Sequence, residues 1–204
     1  MDPTRDGHAR SKPAWVHRAL RKAEDAEALD GPATGLKRLL GGVAANSVTR
    51  QLRGRGLGHP LHPLVVTLPI GAWLCSAVFD LLPDGRDAAR RLVATGLLAT
   101  PAAIVLGLAD YTGLDERQRR VAVVHAVANA TATTLFGASY LARRGGRGGR
   151  LLGVLGLVAT GLGGALGGHL AYAQGAGVFR WQALDEPAPA ELAGDDPAAP
   201  RNPA

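Results

Sequence analysis

Four long apolar runs in the middle of the chain limit what it can fold into. Each run holds 18 residues or more. A helix of that length, at about 1.5 Å per residue, crosses a hydrocarbon core of about 30 Å. Helices of soluble proteins show a polar face at every turn, and these runs do not. We therefore predict an all-α fold, a four-helix transmembrane bundle, with spans at residues 64–82, 92–109, 121–142 and 151–173.

The segments on either side of the spans have a different composition. Residues 1–57 carry eleven Lys and Arg against six Asp and Glu, and residues 176–204 are rich in Ala, Pro and acidic residues. We predict a basic N-terminal tail with weak helices (1–57), a four-span domain (58–175) and a disordered acidic tail (176–204). The pI of about 10.2 does not indicate nucleic-acid binding. The basic residues lie in a tail and in short loops, where they suit lipid headgroups.

Four histidines flank or enter the spans. We call side A the side of the bilayer on which the first span starts, and side B the opposite side. His59 and His62 precede the first span, His125 lies near the start of the third, and His169 lies near the end of the fourth. Because consecutive spans alternate in direction, all four fall at side A. Imidazoles inside spans are costly, and by default they face the bundle interior and have a function.

Polar neighbours accompany these histidines. Asn129 follows His125 by four residues and so shares its helix face. Asp110 and Tyr111 close the second span at side A. The predicted cofactor-binding residues are therefore His59, His62, His125, His169, Asn129, Asp110 and Tyr111, the last three as orienters of the imidazoles.

Three hypotheses explain such a cluster. In the first, two imidazoles hold the iron of a haem b between facing helices, with His125 and His169 as the axial pair and His62 as substitute. In the second, two or three imidazoles and Asp110 bind zinc or another divalent ion. In the third, the histidines only form hydrogen bonds between helices. No catalytic residues are predicted, since the spans offer no nucleophile with a base at suitable spacing.

Small residues mark the fourth span as a packing helix. Gly164 and Gly168 are four residues apart, as are Gly161 and Ala165. This spacing permits close approach of a neighbouring helix. Apart from this pattern, the sequence shows no convincing internal repeat.

Several motifs together resemble one family of membrane proteins. They are Gly58-His-Pro-Leu-His-Pro-Leu, Phe79-Asp-Leu-Leu, Gly107-Leu-Ala-Asp, Val124-His-Ala-Val-Ala-Asn and Gly167-Gly-His-Leu-Ala-Tyr. The combination, over roughly residues 57–178, resembles the bacterial integral membrane family DUF2231. The resemblance implies a four-span bundle. Some members look fused to a C-terminal Rieske iron–sulfur domain, which implies electron transfer.

The resemblance and the histidines together give a functional expectation. The residues after the fourth span contain no Cys-x-His motif, so we expect any redox partner to be a separate protein. The bundle also resembles dihaem cytochromes of the b561 type. Those place histidine pairs toward both faces, whereas side B here has no histidine, so we expect one haem at most. We expect an accessory redox module, with a structural or interaction protein as the alternative.

The charges of the loops bear on orientation in the bacterial inner membrane. Side B carries seven arginines, and the flanks of the spans at side A also carry seven. The short basic loop at residues 143–150 favours side B in the cytoplasm, whereas the long basic N-terminal tail favours side A. We expect both termini to be cytoplasmic.

Overall fold

Helices make up almost all of the structure. The computed structural model describes residues 14–44, 46–146 and 148–177, and these contain no strand. Three helices and a short 3-10 turn come first: α1 (Ala14–Glu24), the turn at Glu27–Leu29, α2 (Asp30–Ala44) and α3 (Ser47–Leu52). The bundle then consists of α4 (His62–Val65), α5 (Thr67–Phe79), α6 (Arg86–Tyr111), α7 (Glu116–Arg144) and α8 (Arg150–Gly168), which continues as a π-helix at His169–Ala173.

Four helical stretches are long and apolar enough to cross a membrane. They are His62–Phe79, Arg86–Tyr111, Glu116–Arg144 and Arg150–Ala173. The prediction of an all-α, four-helix transmembrane bundle is therefore confirmed. α6 and α7 both begin before the predicted apolar runs, in charged residues. At α7 the reason is a capping box. The side chain of Asp115 accepts from the Gln118 N–H at 2.9 Å, and that of Gln118 accepts from the Asp115 N–H at 3.1 Å.

The first span is interrupted close to its start. Pro69 has no N–H and so cannot bond to the carbonyl of Val65, and the helix breaks at Val66, between α4 and α5. The hydroxyl of Thr67 donates to the carbonyl oxygen of Leu64 at 2.6 Å and satisfies one group left by the break. His62 therefore stands in a single turn of helix ahead of the main span.

The spans pack as two helical hairpins, the first formed by α4, α5 and α6 and the second by α7 and α8. Their rings meet in the middle of the bundle, where Trp73 stacks on Phe136 with centroids 4.1 Å apart and planes 13° apart. Gly96 lies beneath the Trp73 ring, and Gly156 lies beneath the Phe136 ring. A larger residue at either glycine would push the rings away, so these glycines allow the helices to approach closely.

A second apolar cluster lies at side A and includes the N-terminal helices. Its buried residues are Tyr111, Val121, Ala122 and Leu170, and Ala23, Leu36 and Leu40 pack against them. The hydroxyl of Tyr111 donates to the carbonyl oxygen of Ala33 at 2.9 Å. The segment that we predicted as a tail thus contains three helices, and all three pack against the side A end of the bundle. Beyond Gly177, the predicted acidic tail at 176–204 lies outside the described residues.

Candidate histidine site

His62 is held by the second helix of its own hairpin. Its Nδ1–H donates to the carbonyl oxygen of Ala103 on α6, with 2.9 Å between nitrogen and oxygen. The ring lies against Gly107, one turn further along α6. A Cβ at that position would be 3.2 Å from Cε1 and 3.3 Å from Nδ1 of the imidazole. The missing side chain of Gly107 therefore makes the room that the ring occupies.

His125 is held in the same way in the second hairpin. Its Nδ1–H donates to the carbonyl oxygen of Gly163 on α8 at 2.8 Å. Its ring lies against Gly167, where a Cβ would be 3.0 Å from Cε1 and 3.3 Å from Nδ1. Because a carbonyl only accepts, both histidines donate from Nδ1, and in the neutral form each keeps its lone pair on Nε2.

The two imidazoles meet between the hairpins. Their ring centroids are 6.4 Å apart, and the ring planes are inclined by 79°. Histidines that bind metals almost always donate their other ring N–H to a carbonyl, a carboxylate or water, which fixes the tautomer and the ring orientation. His62 and His125 both have this arrangement, so their Nε2 atoms are suited to act as ligands.

Asn129 lies over the ring of His125. Its Nδ2 is 3.3 Å from Nδ1 and 3.2 Å from Nε2 of the imidazole, and it donates to the carbonyl oxygen of His125 at 2.9 Å. An atom equally far from both ring nitrogens at this distance lies above the ring face, since in the ring plane it would collide with ring carbons. Asn129 thus restricts the ring without using the Nε2 lone pair. Gly163 leaves space for the amide, because a Cβ there would be 2.7 Å from Oδ1 of Asn129.

The other predicted site residues lie elsewhere at side A. His169, on the π-helix, pairs through Nε2 with Oε1 of Glu24 at 2.5 Å. His59 is exposed in the segment ahead of α4, and Asp110 is half-buried in the last turn of α6. The hydroxyl of Tyr111 bonds to Ala33. The structure therefore brings His62, His125 and Asn129 together and places His169 against the N-terminal helices.

The number of ligands bears on the zinc hypothesis. Within residues 14–44, 46–146 and 148–177, no three His, Cys, Asp or Glu side chains converge in a way that could hold a metal ion. A structural or catalytic zinc site needs at least three protein ligands. Two imidazoles are enough only where a cofactor supplies the other ligands, as haem does.

Carboxylates in or next to the N-terminal helices form ion pairs and hydrogen bonds with the bundle. We call Glu24, Asp25 and Asp30 the acidic latch. Asp25 pairs with Arg117 at 3.3 Å, and Asp30 pairs with Arg120, which it meets through both oxygens at 2.6 and 2.7 Å. The hydrogen bond from Arg120 lowers the pKa of Asp30. Burial raises the pKa of Glu24, but hydrogen bonds with His169 and Gln174 and nearby positive charge together outweigh it, so the pKa is lowered overall.

The acidic latch predicts a dependence of N-terminal docking on pH. Glu24 and Asp30 are carboxyl groups whose pKa is lowered in the folded protein. Their contribution to the stability of the docked helices is therefore present above the ordinary pKa values of 4.5 for Glu24 and 3.8 for Asp30. It is lost as the pH falls through the lowered pKa values. We expect the hydrogen-exchange protection of α1 and α2 to fall as the pH drops below about 4. Asp30→Asn should reduce protection at neutral pH, whereas the change Glu27→Gln at an exposed neighbour should not. Protection that is unchanged down to pH 3 would contradict the latch.

The comparison with known families agrees with this fold. The family model described as "Predicted membrane protein (DUF2231)" matches residues 58–180, which is more than half of the chain. No curated protein and no solved structure matches the chain. The family resemblance predicted from the motifs is thereby confirmed. The matched region begins just before α4 and extends past the π-helix, so it contains all four spans, and the chain belongs to the DUF2231 family of predicted membrane proteins.

Proposed function

We propose that this membrane protein is an accessory redox module that holds one haem b between His62 and His125. One observation carries the proposal. The two imidazoles meet between the hairpins, and both Nδ1–H groups are already bonded to backbone carbonyls. Each ring therefore keeps an Nε2 lone pair, which is the kind of axial ligand that haem iron takes from histidine.

The spacing of the rings supports a single iron. The ring centroids of His62 and His125 are 6.4 Å apart, so both imidazoles would hold the same haem rather than one each. When bound, haem would supply reversible one-electron transfer. His62 and His125 would hold the haem through Nε2, and the carbonyls of Ala103 and Gly163 would fix the orientation of the two rings.

Each neighbour of the imidazoles has a definite task in this proposal. The carbonyls of Ala103 and Gly163 set the tautomers, and Asn129 limits rotation of the His125 ring. The proposal takes His62 in place of His169 as the partner of His125, because Glu24 engages the Nε2 of His169. His169 then belongs to the attachment of the N-terminal helices.

A structural role for the histidines is the alternative. It is favoured by the same Nδ1–H bonds, since each joins two helices of one hairpin. Such a bond contributes about 1 kcal/mol or less between membrane helices. A divalent-ion site has less support, because no third ligand joins the two imidazoles in the part of the chain that the structure describes.

The proposal includes a location and a partner. We place the module in the bacterial inner membrane with both termini in the cytoplasm, so that side A faces the cytoplasm. The partner would be a separate redox protein that docks at side A, where the two imidazoles lie. The lipid bilayer surrounds the four apolar helices.

The visible spectrum tests the proposal. The full chain is purified in mild detergent from haem-replete cells, and the dithionite-reduced minus oxidised spectrum is recorded. We expect a sharp α-band and a shifted Soret band, with about one haem per chain, because one imidazole pair ligates one iron. A flat spectrum from a monodisperse, helical sample would overturn the haem proposal. Metal analysis of the same sample would then separate an ion site from the structural role.

A further inference from the structure

The first helices of the two hairpins carry matching residues at a constant spacing. His125 follows His62 by 63 positions, and the same spacing relates Phe136 to Trp73, Ser139 to Ser76 and Arg143 to Asp80. Members of three of these pairs contact each other. The imidazole rings have centroids 6.4 Å apart and planes inclined by 79°, the aromatic rings stack, and the last two side chains form an ion pair. These pairs run in order from side A to side B.

The second helices match as well, at a spacing of 60 positions. The equivalent pairs are Gly96 and Gly156, Thr100 and Thr160, Ala103 and Gly163, and Gly107 and Gly167. Equivalent residues make equivalent contacts. Thr100 donates to the carbonyl of Gly96 at 2.8 Å, and Thr160 donates to that of Gly156 at 2.9 Å. In both hairpins the histidine bonds to the third residue of this series and lies against the fourth.

We infer that the four spans are a tandem repeat of one two-helix unit, and that the Asp80–Arg143 ion pair makes unlike units pair with each other. Both units start at side A, so the pseudo-twofold axis that relates them runs along the membrane normal, as in transporters with parallel repeats. The inner face of each hairpin is thus an interaction surface, and the partner that fits it is the other hairpin. This inference does not depend on the haem proposal.

The ion pair is placed where it can select the partner. Nη1 and Nη2 of Arg143 contact the two carboxylate oxygens of Asp80 at 2.6 and 2.7 Å. The side chains are only 6% and 11% exposed. Because the two positions are equivalent, a pair of like units would bury two carboxylates or two guanidinium groups. Leaving buried charges without their counterpart is strongly unfavourable, whereas the unlike pair satisfies both.

An exchange of the two charges tests the inference. Asp80→Arg and Arg143→Asp are made singly and together in the full chain. Monodisperse protein is then measured by size-exclusion chromatography in mild detergent, with no chromophore needed. Each single variant should lose about tenfold or more of the monodisperse protein, because it buries two like charges. The double variant should recover to within about twofold of the unchanged chain, because the two positions again hold opposite charges. Arg150, whose Nε lies 3.7 Å from Oδ1 of Asp80, has a side chain that is 55% exposed and can turn into solvent.

A control and a second exchange make each outcome informative. Asp87→Arg changes an exposed carboxylate whose side chain is 80% exposed, and it should leave the yield unchanged.

The double variant Trp73→Phe with Phe136→Trp should also fold. The indole of Trp73 donates to the carbonyl of Val93. Gly153 is the equivalent residue on α8, so its carbonyl would be the acceptor for a tryptophan at position 136. If both double variants fail like the single ones, the positions are not equivalent and the inference is wrong. Normal yields from the single charge variants would overturn the selecting role of the ion pair.

Discussion

His62→Ala and His125→Ala should each abolish the α-band of the reduced protein, whereas His169→Ala should leave it in place. The reason is geometric. His62 and His125 face each other with ring centroids 6.4 Å apart, while His169 is bound to Glu24. Either variant would remove one of the two imidazoles that would hold the haem, so we expect the band to be lost. His59→Ala, at an exposed position ahead of α4, is the matched control and should keep the full band.

The measurement separates loss of haem from loss of fold. The alanine variants of His62, His125 and His169 each lose one hydrogen bond, which costs about 1 kcal/mol or less in a membrane protein. We therefore expect all four variants to elute as monodisperse species with normal helicity. A band that disappears in His169→Ala and persists in His62→Ala would instead support the His125–His169 pair predicted from the sequence. A band that persists in all variants would place the haem elsewhere.

Gly96→Ala and Gly156→Ala should destabilise the bundle, whereas Gly164→Ala should not. A Cβ at Gly156 would lie 2.8 Å from Cε2 of Phe136, and a Cβ at Gly96 would press still more closely on Trp73. At Gly164 a Cβ would meet no atom within 4 Å. Overpacking of a close contact costs about 1–3 kcal/mol, and membrane helices depend on such contacts because lipid supplies no hydrophobic drive between them.

The thermal aggregation midpoint in detergent is the measurement for these glycines. The two packing variants should show a clear decrease relative to the unchanged chain, and Gly164→Ala should match it. Equal midpoints for all three variants would mean that the aromatic stack of Trp73 and Phe136 does not hold the hairpins together. The outcome is independent of any bound cofactor.

Much of the fold was predictable because the signal was local. Hydrophobic length alone placed the four spans, and the alternation of their direction predicts that the histidines lie at one end of the bundle. The contact of Asn129 with His125 follows from their spacing of four residues. In each case the relevant physics acts within one helix or follows from the thickness of the bilayer.

The partners of those residues were harder to predict, because they are distant in sequence. Glu24 and His169 are 145 positions apart, and nothing in either segment indicates the contact. The fourth span offers glycines on several faces, so spacing by four did not identify the packing face. We predicted that Gly161 and Gly164 pack against a neighbouring helix, but a Cβ at either would contact no atom. Gly163 and Gly167 are the glycines that lie against side chains of α7, namely Asn129 and His125.

The internal repeat was missed for a related reason. The first helices match at a spacing of 63 and the second helices at 60, so no single shift of the sequence aligns both. Most equivalent positions also differ in residue type, since lipid-facing positions require only that they be apolar. The equivalence becomes visible only through shared contacts, such as the two imidazoles against their glycines.

The stacked rings of Trp73 and Phe136 separate the two ends of the bundle. They pack with Val93, Leu97 and Leu157 between the imidazoles at side A and the ion pair at side B. Side B has no histidine, so no second haem site of this kind follows along the axis. A haem between His62 and His125 would therefore gain and lose its electron at the same membrane surface. Such a module would pass electrons between partners at one membrane surface and would generate no voltage across the bilayer.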